Sequence, residues 1–251
     1  MARRTSAEID VRAYGSVAIP HLIGLLERNE AVMTRVAERL IQDVRGGRSL
    51  LVFGSGHSAI FPMELYHRAG GASFVLPVTG DHLLPTAGPP VVRVLERTPG
   101  AANALFNRVS PQAGEMLWLA SQSGINAAAI DLALEAKRRK LRTVAFTSVL
   151  HSSAVKSRHA SGKRLFEVCD EVVDLHGSVG DASLPVKKGV TTGPLSSLGA
   201  ILLGNSIIAA AVTVLEKEGH RCVYTSVNTP EGEARNRKLE EQAMERDVLL
   251  R

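Results

Sequence analysis

Two stretches of the chain bring glycine together with hydroxyl-bearing and imidazole side chains: Gly54-Ser55-Gly56-His57-Ser58 and Ser121-Gln122-Ser123-Gly124-Ile125-Asn126. Each follows a short apolar run and precedes a helical one. Glycine lets the backbone approach a ligand and adopt positive φ, hydroxyls add donors, and the unpaired N–H groups that begin a helix carry partial positive charge. That chemistry suits a small anion such as a phosphate, surrounded by donors without a fixed cation beside it. Taken singly, each turn also reads as ordinary helix capping; two of them, at the ends of successive units of one sheet, point to a shared site. Thr147-Ser148, after Arg142 to Phe146, is a third hydroxylic turn expected on the same rim. Neither glycine turn is a GxGxxG fingerprint or a P-loop, because no third glycine stands at the required spacing and no Gly-Lys-Ser/Thr follows. No cofactor is expected.

The elements that must hold these turns read as alternating strands and helices. Strands are expected at Ser49 to Gly54, Ser73 to Val78, Glu115 to Ala120, Arg142 to Thr147 and Glu171 to Leu175. Runs such as Leu50-Leu51-Val52-Phe53 are apolar on successive residues, as a strand covered on both faces requires, which argues for a parallel sheet between helices. Ala59 to Arg68 and Asn126 to Lys140 have the length and composition of crossover helices. The expected fold is a doubly wound α/β domain, whose ligands bind where strand C-termini meet helix N-termini. Upstream, Val17, Leu22, Leu25 and Leu26, then Val32, Val36, Leu40 and Ile41, predict two N-terminal helices, the second ended by Gly46 and Gly47. Pro77 to Pro90 and Gly177 to Pro194 read as loops within the unit, and the charged segment from Glu231 to Met244 as a solvated terminal helix. The organisation expected is one domain over residues 1–251: helical to 46, an α/β core over 47–220, and a tail from 221.

The 251 residues are 45% hydrophobic and 22% charged, enough for a substantial core and unlike a disordered, collagen-like or disulfide-rich chain. The net charge of +5 comes from scattered basic residues, and only 4% of residues are aromatic, so no nucleic-acid surface is expected. Lys137 to Lys140 read as a solvated helix end. Cys169 and Cys222 form no CxxC and fit a reducing compartment. The start MARRTSAEID has no apolar stretch behind its arginines, which leads us to expect a cytoplasmic protein. Leu198 to Leu215 carries no charge and reaches the minimum length of a spanning helix, but Gly204-Asn205-Ser206 interrupts it, and it reads as a buried core helix rather than a membrane span.

The Gly-Ser-Gly-His-Ser turn, the Ser-Gln-Ser-Gly-Ile-Asn turn and the late helix start Gly193-Pro194-Leu195-Ser196-Ser197-Leu198 resemble the SIS, or sugar isomerase, domain. Tyr66 to Gly71, Thr147-Ser148 followed by His151-Ser152, and Ser157 to Lys163 are similar to its single-domain UPF0309 branch, and the resemblance covers nearly the whole chain. It implies a flavodoxin-like, five-stranded parallel sheet flanked by helices, a phosphorylated sugar or amino sugar as ligand, and a homodimer or homotetramer. It also implies that Ser121, Ser123, Gly124 and Asn126 hold the phosphate and that Ser55, Gly56, His57 and Ser58 face the sugar, with Thr147 and Ser148 beside them. Family members include isomerases, an etherase and regulators that only bind, so membership leaves the reaction open.

Aldose-ketose interconversion needs a base beside a carbonyl and a donor for the enediolate. Glu64 is the expected base, by likeness to the helix that carries a catalytic Glu in the phosphoheptose-isomerase-like branch; it also reads as a surface carboxylate pairing with Arg68 at i,i+4. His67, placed three residues on along the same helix face, and His57, in the turn itself, are the other expected catalytic groups. His151 is expected near the pocket, and Glu96 is a second acid without a spacing argument. Asp81-His82 lacks a further spaced partner, so no metal site is expected. Leu198 to Glu218 contains no histidine, unlike the late helix of several catalytic members. Isomerisation is the first expectation; the missing histidine argues against its usual form and for a non-catalytic sensor as alternative, with a lyase or etherase as a third.

Overall fold

The computed structural model describes residues 9–247 and 249–250; residues 1–8, on which the reading of the N-terminus rests, lie outside them. In chain order, α1 (Ala13–Arg45) leads to β1 (Leu50–Gly54), a 3-10 turn (Gly56–Ala59), α2 (Ile60–Leu65) and β2 (Val75–Val78). After two further 3-10 turns come α3 (Pro89–Leu95), α4 (Asn103–Arg108), β3 (Met116–Ala120), α5 (Ala127–Arg138) and β4 (Arg142–Thr147). The chain continues through α6 (Val149–Ala154), α7 (Leu165–Val168), β5 (Glu171–Asp174), β6 (Ala182–Lys187) and β7 (Val190–Pro194), then α8 (Ser196–Lys217) and α9 (Pro230–Ala243).

Five strands form one parallel sheet in the order β2-β1-β3-β4-β5, the flavodoxin-like order. The strands lie where the apolar runs predict them, to within two residues at each end. Both faces are covered, which is why successive strand residues are all apolar. Leu50, Val52, Met116, Trp118, Val144 and Phe146 pack with α1, α2 and α8 on one side. Leu51, Phe53, Leu117, Leu119 and Ala145 pack with α4, α5 and α7 on the other. On the first side Phe61 of α2 stands between Phe146 and Trp118, with ring centroids 4.7 and 6.3 Å away.

Four expectations are corrected. The N-terminal segment is one helix of 33 residues, not two. Asn29, which resembles a break in the apolar pattern, is buried because its amide donates to the carbonyls of Leu25 and Asp174 and accepts from the Asp174 N–H, all at 2.9 Å. The expected loop from Gly177 to Pro194 contains the antiparallel hairpin β6-β7, turned through Lys188-Gly189. The helix expected to Arg68 stops at Leu65, because residues 70–73 hydrogen-bond instead to Cys222 and Tyr224. Finally, α9 is anchored rather than merely solvated: Leu239 is buried, Asn236 is paired with Thr225, and Arg235 reaches Glu216 at 2.6 Å.

Helix α8 is long and apolar enough to cross a membrane, yet it packs along α1 and α2 with Leu203, Ile207, Ala211 and Leu215 in the core. Gly204 sets that approach, since a Cβ there would lie 2.6 Å from the Phe61 ring. Gly204→Ala gains about 1 kcal/mol of helix propensity but forces the Phe61 ring into its neighbours, at about 1–3 kcal/mol. The variant is expected to melt a few degrees lower; a higher melting temperature would show that the two helices separate freely. Burial pushes the Cys169 thiol up to about 12 and the Cys222 thiol up to about 11, so neither supplies a thiolate at neutral pH. Iodoacetamide should therefore alkylate the native protein far more slowly than the urea-unfolded chain, and equal rates would contradict this.

Candidate functional site

Strands β1 and β3 are neighbours with Gly54 opposite Ala120, so the turns that follow them leave the sheet side by side. From there they diverge. Phe61 and Leu65 of α2 pack on one face, and Ala128, Ala129 and Leu132 of α5 on the other. Between them opens a cleft of about 440 Å³, lined by Ser55, Gly56, His57 and Ser58 from the first turn and by Ser121, Gln122, Ser123 and Asn126 from the second. Arg93, Glu96 and Arg97 at the end of α3, His151 of α6, and Asp181 and Ser196 at the start of α8 complete its wall.

The first turn is fixed by its contact with α3. The Ser55 hydroxyl donates to Glu96 Oε1 at 2.7 Å. Gly56 has φ of +56°, and a Cβ on it would lie 2.9 Å from the same oxygen, so only glycine lets the carboxylate sit over the turn. His57 is exposed at the mouth of the cleft. In the second turn Ser121 Oγ accepts from the Gly124 N–H at 3.2 Å. Gly124 has φ of +58°, and a Cβ there would meet Thr147 Oγ1 at 2.8 Å. Asn126 is the N-cap of α5 but makes no capping bond. The Ser123 hydroxyl has no hydrogen-bond partner among the described residues. This end of the cleft therefore offers a hydroxyl and an amide, while the Ala128 N–H in the first turn of α5 is given to the Glu96 carbonyl at 3.0 Å.

Other expected residues stand elsewhere. Thr147 and Ser148 are fully buried behind the cleft: Thr147 donates to the Gln122 carbonyl at 3.3 Å and Ser148 to the Gly177 carbonyl at 2.7 Å. They brace the second turn and do not line the cavity. Glu64 is outside it and ion-pairs with Arg68. His67 lies beyond the end of α2 with φ of +36°, so it does not share a helix face with Glu64. Its Nε2 is 2.8 Å from Glu240 Oε1, and its ring lies against Tyr224. The acids that do reach the cleft are Glu96 and Asp181, the latter occupied with Ser196.

Asp181, Arg93 and Arg97 join the site with no local signal in the sequence. Asp181 Oδ1 accepts from the Ser196 N–H at 3.0 Å and Oδ2 from the Ser196 hydroxyl at 2.6 Å, closing the start of α8. The Gln122 amide and His151 Nδ1 are buried without a protein partner behind the cleft wall, the Gln122 amide lying against Gly177. Among the described residues no group of three or more His, Cys, Asp or Glu side chains stands together as a metal site. The arrangement gathers hydroxyls, amides, two imidazoles, two guanidinium groups and two carboxylates around one cleft.

Residues 13–148, which include both turns, match the SIS domain family. A UPF0309 protein of Shouchella clausii is 33% identical over 86% of this chain and 89% of its own length. A second, from Brucella ovis, is 31% identical over 97% and 99%. Among solved structures, the phosphoheptose isomerase of Neisseria gonorrhoeae superposes with a TM-score of 0.53 over 81% of this chain and 97% of that one, at 17% identity. The phosphoheptose isomerase of Francisella tularensis gives 0.54 over 81% and 96%, at 13% identity. Sequence and architecture together make this chain a member of the SIS, or sugar isomerase, domain family.

Proposed function

We propose that the protein binds a phosphorylated sugar or amino sugar in this cleft and isomerises it by moving a proton between the carbons of an enediolate. The observation that carries this reading is the meeting of the two hydroxylic turns in one cavity with a carboxylate, Glu96, held at 2.7 Å by Ser55. The superposing structures are titled phosphoheptose isomerases, which supports the same class of ligand.

In this reading the phosphate takes hydrogen bonds from Ser121, Ser123 and Asn126. The carbonyl end extends toward Ser55, His57 and Ser58. Glu96 removes the proton next to the carbonyl and returns it to the adjacent carbon, the role that the sequence suggests for Glu64. His57 and His151 stand where an imidazole N–H could donate to the enediolate oxygen. A second reading, binding without turnover, is favoured by α8, whose cleft end presents Ser196 and Asp181 and whose length contains no histidine. We also take the protein to be a homodimer or homotetramer, supported by the apolar side chains of Ile19, Ile23 and Met63 exposed on α1 and α2.

A ligand that binds only the native state raises the melting temperature. Phosphorylated hexoses and hexosamines should do so while their unphosphorylated counterparts do not, and Ser123→Ala should weaken the response. Equal responses to both sets would remove the phosphate from the reading. With a responding substrate in D2O, deuterium should appear next to the carbonyl, and Glu96→Gln should slow exchange by about 10²–10⁴-fold, the usual loss for a general base. Glu64→Gln should leave exchange unchanged. The reverse pattern would return the base to Glu64, and binding without any exchange would favour the sensor.

A further inference from the structure

The phosphate-facing turn is braced from behind by residues 155–164, which connect α6 to α7. The Arg158 N–H donates to the Ile125 carbonyl at 2.9 Å and the Leu165 N–H to the Gly124 carbonyl at 2.8 Å. The Arg164 guanidinium ties the same segment to the carbonyls of Ser152 and Val155. His159 locks it to α5: Nε2 is 2.9 Å from Asp131 Oδ1, and Asp131 Oδ2 accepts from the Gly100 N–H at 2.8 Å. His159 Nδ1 faces both the Ser161 N–H, at 3.1 Å, and the Ser161 hydroxyl, at 2.7 Å. With an N–H aimed at Nδ1, the ring proton belongs on Nε2 and points to the carboxylate. The backbone of Arg158 is thereby fixed relative to the start of α5.

Its side chain, like that of Arg108 on the Thr79 carbonyl, is bonded to a neutral group. Arg35, Arg138 and Arg142 all face carboxylates, whereas the side-chain partner of Arg158 among the described residues is a neutral amide, Asn126 Oδ1, accepting from Nη1 at 3.0 Å. Two consequences follow from that one bond. It orients the Asn126 amide, since with Oδ1 held by the guanidinium the group left to the cleft is Nδ2, a donor. It also holds a permanent cation, exposed and unneutralised, one side chain away from the hydroxyls and helix N-terminus at that end of the cleft.

We propose that Arg158 is the cationic arm of the anion pocket: it fixes Asn126 as a donor toward the ligand and supplies a charge-assisted hydrogen bond to the phosphate itself. The inference rests on the phosphorylated-sugar reading, and it departs from the sequence expectation of a pocket made of hydroxyls and backbone alone. It also gives the basic segment around Ser157 to Lys163 a role that the two turns did not supply.

The test measures binding of inorganic phosphate and of a panel of hexose and hexosamine 6-phosphates, by calorimetry at several salt concentrations. The proteins compared are wild type, Arg158→Ala, Arg158→Gln and Arg158→Lys. Arg158→Ala should keep the unliganded melting temperature, since the side chain is exposed, yet bind roughly ten- to hundredfold more weakly, as loss of a charge-assisted bond implies. Its affinity should fall less steeply with salt than that of wild type. Arg158→Gln, which can still bond to Asn126, should recover none of the salt dependence, and Arg158→Lys should recover it in part. A merely structural brace would lower the melting temperature of all three without changing the salt dependence, and that result would overturn the proposal. If wild type binds phosphorylated sugars and the alanine and glutamine variants match it, Arg158 is no part of the pocket while the ligand reading stands. If wild type binds none of the panel, the ligand reading fails first and the role of Arg158 with it.

Discussion

Between β1 and β3 the winding of the sheet reverses, and every feature of the cleft follows from that reversal. The two strands are parallel and adjacent, so their C-terminal ends share one edge, yet the helices after them must cover opposite faces. The turns therefore part as they leave the sheet, and a crevice opens that no side chain has to be sacrificed to make. Register decides what faces what. Leu51 and Phe53 with Leu117 and Leu119 serve one core, and Val52 with Met116 and Trp118 serves the other. A slip of one residue would drive Trp118 out of its contact with Phe61 and Phe146 and into a layer packed by alanines of α5. Packing volume thus holds Gly54 level with Ala120, and with it the serines that follow each of them.

Much of this was legible because the signals are local. A strand buried on both faces announces itself by consecutive apolar residues, and a glycine turn between strand and helix by its composition, so the five strands and the two converging turns could be read directly. Helix ends were less legible where distant chain sets them. Nothing between Met63 and Arg68 says that the backbone of residues 70–73 will pair with Cys222 and Tyr224, but that pairing ends α2 at Leu65 and turns His67 toward Glu240. Asn29 is a similar case: its polarity suggests a break until Asp174 is found beside it.

Glu96 shows the limit from the functional side. In the sequence Leu95-Glu96-Arg97-Thr98 offers a second acid with no spacing argument behind it. Its carboxylate comes to the cleft because α3 packs against the 3-10 turns after β1 and β2, and because the Glu96 carbonyl accepts from the Ala128 N–H at 3.0 Å, stitching the end of α3 to the start of α5. Thr147 and Ser148 are the converse. Their composition marks them as ligand groups, but both hydroxyls are spent inside the protein on carbonyls of Gln122 and Gly177. Each such bond contributes only about 1 kcal/mol net, but losing the Ser148 hydroxyl would leave the Gly177 carbonyl unpaired at about 1–3 kcal/mol, whereas the Gln122 carbonyl would keep the Ser148 N–H at 3.1 Å. Bracing the turn is thus reason enough for the hydroxyl of Ser148.

The two helices that begin at the cleft are not equivalent, and the difference orients any anionic ligand. At the start of α8 the place an anion would take is filled: the Asp181 carboxylate accepts from the Leu195 and Ser196 N–H groups and from the Ser196 hydroxyl. At the start of α5 the N-cap Asn126 makes no such bond, and it is the Glu96 carbonyl rather than a carboxylate that takes the Ala128 N–H. An anionic group entering the cleft is therefore disfavoured beside Asp181, and Arg93, Arg97 and the Asn126 side chain are the lining groups able to attract it or donate to it. A cleft lined by hydroxyls alone would bind in either direction; the Asp181 carboxylate fixed over the start of α8 is what makes the two directions unequal.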